Sequence, residues 1–127
     1  MVVAALGCSG TRPLNCPEGS EHWIEYQLFM GRGGPGGEMV DDAAWDAFLD
    51  GEVTPRFPDG LTVMDGRGQW RGSDGTIKQE RSKLLVILAP PGAEASQRLD
   101  QIAREYKLRF SQEAVLQTVD ETCVAFL

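Results

Sequence analysis

The sequence is poor in what metal centres and general acid-base sites are usually built from. Its 127 residues contain one histidine, His22, and three cysteines. A tetrahedral zinc site needs four converging nitrogen or sulfur ligands, so a zinc centre is not expected. Bases are scarce as well. Twelve Lys and Arg against nineteen Asp and Glu give a net charge of −7. A surface of that sign does not neutralise a phosphate backbone, so nucleic acid is not an expected partner. No run approaches the ~20 apolar residues of a spanning helix, so any membrane attachment is expected through a lipid anchor alone.

What is present fits one domain of ordinary size, 42% hydrophobic and 24% charged. Residues 1–20 read as a processed or flexible leader and residues 21–127 as the domain. Met1-Val-Val-Ala-Ala-Leu-Gly-Cys8 is small and apolar up to a cysteine, then turns polar at Ser9-Gly-Thr-Arg-Pro. That break resembles the end of a bacterial lipoprotein signal, with Cys8 as the lipidated residue. An exported, periplasmic or cell-envelope location is the matching expectation. Cys16 and Cys123 are then left as an even pair: either a disulfide, as an oxidising compartment permits, or two separate thiols.

Glu21-His-Trp-Ile-Glu-Tyr-Gln-Leu-Phe-Met30 is rich in aromatic and branched residues and stops at a glycine run, which predicts a strand. Gly31-Arg-Gly-Gly-Pro-Gly-Gly37 predicts a loop. Trp45, Phe48 and Leu49 at helical spacing predict a helix opening near Val40-Asp41-Asp42 and ending before Thr54-Pro-Arg-Phe-Pro-Asp-Gly60. Residues 61–71 and 76–88 predict a hairpin, and Leu99, Ile102, Ala103, Tyr106 and Phe110 mark one stripe of a helix over 94–110. A last strand is predicted from Glu113 to Val119, resuming at Thr122. The order strand, helix, strand, strand, helix, strand is the ferredoxin-like split βαβ sandwich, an α+β fold with two helices on one face of an antiparallel sheet. The start of its first strand lies beside the end of its last, which could bring Cys16 and Cys123 within bridging range.

If Ser73 and Asp74 form the hairpin turn, facing residues sum to 147. Arg67 then lies opposite Glu80 and Asp65 opposite Ser82 on one face, with Trp70 and Arg81 on the other. A one-residue slip exchanges the faces of one strand.

Several motifs carry less than they suggest. Gly31-Arg-Gly-Gly-Pro-Gly36 matches G-x-G-x-x-G, but Glu38, Asp41 and Asp42 crowd the helix start and repel a pyrophosphate. Asp42, Asp46 and Asp50 form a carboxylate stripe better read as a solvated helix face. His22 and Glu25 fall on opposite faces of a strand. Ser82 beside Lys83 lacks a histidine partner for nucleophilic catalysis.

Charge is the sharpest local anomaly. Residues 54–83 hold Arg56, Arg67, Arg71, Lys78, Arg81 and Lys83 against Asp59, Asp65, Asp74 and Glu80, a segment of +2 in a chain otherwise at −9. Gly66 and Gly68 strip bulk from the same strand, as where another group approaches closely. The reading favoured here is a binding module without cofactor or metal. Its hairpin would seat a small anionic or polyol ligand, or a partner protein: Arg56, Arg67 and Arg81 as donors, Trp70 as a stacking wall, Asp65 and Glu80 orienting the arginines. Two alternatives use the same surface. One is a cofactor-independent enzyme with Glu80 or Asp65 as base and Arg67 or Arg81 stabilising an oxyanion. The other is a structural domain whose open sheet face forms a homodimer.

Thr54-Pro-Arg-Phe-Pro-Asp-Gly-Leu-Thr-Val63, Asp65-Gly-Arg-Gly-Gln-Trp-Arg-Gly72 and Glu80-Arg-Ser-Lys83 resemble the bacterial family Domain of Unknown Function 3574, over about Trp23 to Phe126. The resemblance implies small bacterial proteins, often with an export or lipoprotein signal, and brings no established activity.

Overall fold

The computed structural model describes residues 14–34 and 37–127. The predicted Cys8 lipidation site lies outside them. Strand β1 (Glu21–Gly31) is followed by a two-residue ribbon, β2 (Gly33–Gly34) with β3 (Gly37–Glu38). Helix α1 (Asp42–Phe48) runs into a π-helical turn (Leu49–Val53). The hairpin strands β4 (Thr62–Arg71) and β5 (Ile77–Ala89), helix α2 (Ala93–Phe110) and strand β6 (Leu116–Val124) complete the chain. The four long strands form one antiparallel sheet in the order β4-β5-β1-β6, the ferredoxin-like arrangement expected. The glycine run expected as plain loop instead forms the β2–β3 ribbon. The last strand is continuous rather than interrupted.

Side chains alternate along a strand, so the buried ones define the face under the helices. Tyr26, Leu28 and Met30 of β1 and Leu85 and Ile87 of β5 are buried against Trp45 and Phe48 of α1 and Leu99, Ile102, Tyr106 and Phe110 of α2. Phe48, Tyr106 and Phe110 meet edge-to-face with centroids 4.9–5.9 Å apart, the geometry that ring quadrupoles favour. Asp41 caps α1, its Oδ1 accepting from the Ala44 amide at 2.7 Å. Ser111 closes α2 in the left-handed region, at φ 52°.

Cys16 and Cys123 are joined in a disulfide, Cα atoms 5.5 Å apart, across 107 residues of sequence. Of the two alternatives left open by the sequence, the structure holds the bridge. It ties the segment before β1 to the end of β6, whose Cys123 faces His22 of β1.

The hairpin register corrects the expectation. Facing residues sum to 148, so Asp65 pairs with Lys83, Arg67 with Arg81, Gly68 with Glu80 and Trp70 with Lys78. The cause is the turn. The Gly72 amide donates to Thr76 O at 2.8 Å, leaving Ser73, Asp74 and Gly75 as a three-residue loop with Gly75 at φ 84°. A three-residue loop with a left-handed glycine is a standard alternative to the two-residue turn, and it moves the register by one. Asp74 holds it by accepting from the Thr76 amide and hydroxyl at 3.0 and 2.6 Å, which draws the Asp74 carboxyl below its ordinary pKa.

Candidate functional site

The register shift redistributes the residues singled out by charge. Asp65, Arg67 and Arg81 fall on the helix-facing side, in line with Val63 and Leu85 but exposed. Trp70 and Glu80 fall on the open side. Arg56 joins neither group. Its Nη1 donates to Glu52 O and Oε2, both at 2.8 Å, and its Nε to Gln101 Oε1 at 3.2 Å, within the helical layer.

On the helix-facing side, Arg67 and Arg81 stand directly opposite each other, both exposed. One step inward, Lys83 Nζ donates to Asp65 Oδ1 at 2.5 Å while lying 6.0 Å from the centre of the Trp45 ring. The Lys83 side chain is 12% exposed and that of Asp65 75%, so the carboxylate covers a mostly buried ammonium. Deeper still lies Arg32, 1% exposed, the charged residue buried most completely among those described. Its Nε donates to Val40 O at 2.9 Å and its Nη2 to Asp42 Oδ1 at 2.7 Å. Four cations, Arg32, Arg67, Arg81 and Lys83, thus gather on one side around Asp65. The hydrogen bond and charge of Lys83 hold the Asp65 carboxyl below its ordinary pKa, with Arg32 and Arg81 adding to the effect.

Glu80, on the open side, is locked into the backbone. Its Oε1 accepts the Gly33 amide at 3.0 Å, and a Cβ on Gly31 would come within 2.5 Å of that same oxygen. Glycine at 31 is therefore what lets the carboxylate lie flat across the strand end. On the other side of the strand, Tyr106 donates to Gly31 O at 2.6 Å, and burial pushes its phenol far above the ordinary tyrosine range. Trp70 is half exposed, 5.2 Å from Lys78 Nζ.

Sequence reasoning missed Arg32, Lys83 and Tyr106 as parts of this constellation. The signal for Arg32 was its position, a lone charge in a run of glycines. That for Lys83 was the register itself. Tyr106 reads as core from its helical stripe, and nothing in the sequence shows that its hydroxyl reaches Gly31.

A recess of about 760 Å³ opens at the opposite end of the sheet, between the Phe57–Leu61 loop, the start of α2 and the chain terminus. Trp23, Phe57, Leu88 and Phe126 are among its walls and Arg98 supplies a cation, but none of Arg56, Asp65, Arg67, Trp70, Glu80 or Arg81 lines it. Charge and concavity are thus separated by the length of the sheet.

Residues 25–126 match the family described as Protein of unknown function (DUF3574). The chain belongs to that family. No curated protein matches it. Among solved structures, the DUF3574 chain is similar to a phage SAM lyase in complex with S-methyl-5'-thioadenosine, with a TM-score of 0.58 and 15% identity over 88% of this chain and 94% of that one. The phage SAM lyase in its apo state gives 0.60 and 13% identity over 89% and 95%. At such identities the likeness is one of fold.

Proposed function

We propose that this DUF3574 domain is an exported binding module, and that the helix-facing side of its hairpin takes a small anion bearing a carboxylate, sulfate or phosphate. The observation that carries the reading is the cross-strand pairing of Arg67 with Arg81. The two guanidiniums stand side by side and exposed at the outer end of the hairpin. An anion bridging them would make two charge-assisted contacts. The enzyme alternative draws less support. A catalytic base is favoured by a raised pKa, whereas Asp65 is held low by Lys83, and Glu80 is held by the Gly33 amide. The Cys16–Cys123 disulfide supports export, because such bonds persist in oxidising compartments.

Calorimetric titration and thermal melts with inorganic phosphate, sulfate and citrate test the binding. Saturable binding is expected to raise the melting temperature with ligand concentration, by RT ln(1 + [L]/Kd) in free energy. Arg67→Ala is expected to abolish that rise while leaving the ligand-free melting temperature unchanged, because Arg67 is exposed. A ligand-independent melting temperature in the wild type, or an Arg67→Ala protein that loses several degrees without ligand, overturns the reading.

A further inference from the structure

The recess at the far end of the sheet surrounds an interruption in strand pairing. Along β5 the amide and carbonyl of successive residues point by turns to the two neighbouring strands. Arg81 O accepts from the Arg32 amide at 3.0 Å on the β1 side, so the odd-numbered residues of β5 turn to β1 and the even-numbered ones to β4. The β4 ladder ends where Thr62 meets Val86. Leu88 is the next residue turned that way, but the residue that would face it, Gly60, bends its amide back to Phe57 O at 3.4 Å. Among the described residues, nothing pairs with the Leu88 N–H and C=O on that edge. The recess of about 760 Å³ wraps this edge from both sides of the sheet. Trp23, Thr62 and Leu88 line it from the open side, and Phe57, Ala89 and Ala95 from the helix-facing side. Three charged side chains reach it: Asp59, Glu94 and Arg98. Arg98 donates from Nη2 to Glu94 Oε1 and from Nη1 to Arg56 O at 3.1 Å, so Asp59 is the charge left to a ligand.

We infer that this recess binds a short, extended, hydrophobic peptide with a basic end, a segment of a partner protein that adds to the free edge of β5 in line with β4. A strand laid there supplies the acceptor and the donor that the Leu88 N–H and C=O lack. Side chains of an added strand point alternately to the two faces of the sheet. The recess is apolar on both, so neighbouring residues of the peptide are apolar, not every second one. Asp59 adds a preference for a lysine or an amino terminus over an acidic residue. The volume lies within the ~300–1,000 Å³ of sites that enclose a drug-sized ligand, the bulk of a short peptide. Arg67 and Arg81 stand at the other end of the sheet, so the inference is independent of the anion reading.

Calorimetric titration with the peptide amide Lys-Leu-Val-Leu-NH2 tests it, with the Leu88 amide followed by hydrogen exchange. Saturable binding below about 1 mM is expected, together with at least about tenfold slower exchange at Leu88. Leu88→Pro removes an N–H that points away from β1, a change that a strand edge tolerates. It is expected to weaken binding about tenfold with circular dichroism unchanged. Three singly N-methylated peptides repeat the test on the unaltered protein. Methylation of one internal amide is expected to weaken binding about tenfold, and methylation of the amide next to it to have no effect, because only alternate amides face β5. Asp59→Lys is expected to weaken binding of this peptide and to favour Glu-Leu-Val-Leu-NH2. Absence of saturable binding, an unmoved Leu88 amide, binding to Leu88→Pro as to wild type, equal effects of all three methylations, or a charge preference unchanged by Asp59→Lys overturns the inference.

Discussion

Removing the Cys16–Cys123 bond is the perturbation whose size follows most directly from the structure. Replacing both residues by serine changes two atoms and leaves the β1–β6 pairing in place, so the folded state loses little packing. The unfolded state changes far more, because the bond closes a loop spanning 107 residues. In the chain-entropy account a loop of that length is worth about 4.7 kcal/mol at 25 °C. A domain of this size is stable by about 5–15 kcal/mol, so the loss removes a large share of the total. With an unfolding entropy of ~2.1 cal/mol/K per residue, the melting temperature is expected to fall by roughly 15–20 °C. Urea titrations of wild type and Cys16→Ser with Cys123→Ser measure it, and dithiothreitol on the wild type should reproduce the shift. The urea m-value should rise as well, because the unlinked denatured chain exposes more surface. A loss below about 1 kcal/mol with unchanged m would refute the reasoning, since the loop term would then be absent from the denatured state.

Other perturbations probe the constellation at the hairpin. Asp65 has a folded-state pKa below its ordinary value, so its contribution is present above the unfolded value and is lost as pH falls through the lower folded one. NMR titration of its carboxyl should show the depressed midpoint, and Lys83→Ala should return it toward 3.8. Tyr106→Phe removes the donor to Gly31 O and is expected to cost about 1 kcal/mol in urea unfolding, while the native protein should show no ionisation of Tyr106 by ultraviolet titration up to about pH 11. Gly31→Ala should displace the Glu80 carboxylate, read out as faster hydrogen exchange at the Gly33 amide with the core amides unchanged. An unaltered Gly33 rate would mean that the carboxylate finds another route to the same donor.

The order of elements was legible because each boundary carries a residue that cannot continue what precedes it. Gly31 ends β1, the Thr54–Gly60 segment ends the first helical stretch, and Pro90 ends β5. The apolar stripes then assign each segment to the core, and the buried set is close to what periodicity selects: Trp45 and Phe48, Leu99, Ile102, Tyr106 and Phe110. The juxtaposition of β1 and β6 follows from that topology alone, which is why two cysteines so far apart in sequence could be considered as partners.

The arrangement of the charges was not legible, and the reason lies in one residue. Gly72-Ser-Asp-Gly75 can close a hairpin with two residues or with three, and composition alone does not choose between them. The chain chooses three, with Gly75 left-handed and Asp74 holding Thr76. That choice moves Glu80 away from Arg67 and puts Arg81 in its place. A two-residue turn would have set Arg67 against Glu80, a self-satisfied ion pair with nothing left to offer a ligand. The three-residue turn sets Arg67 against Arg81 and leaves Glu80 to the Gly33 amide. Shortening the loop by one residue, by deleting Ser73, should therefore separate Arg67 from Arg81 and abolish anion binding, as Arg67→Ala does. If deletion of Ser73 left anion binding intact, the register would not be what organises that surface.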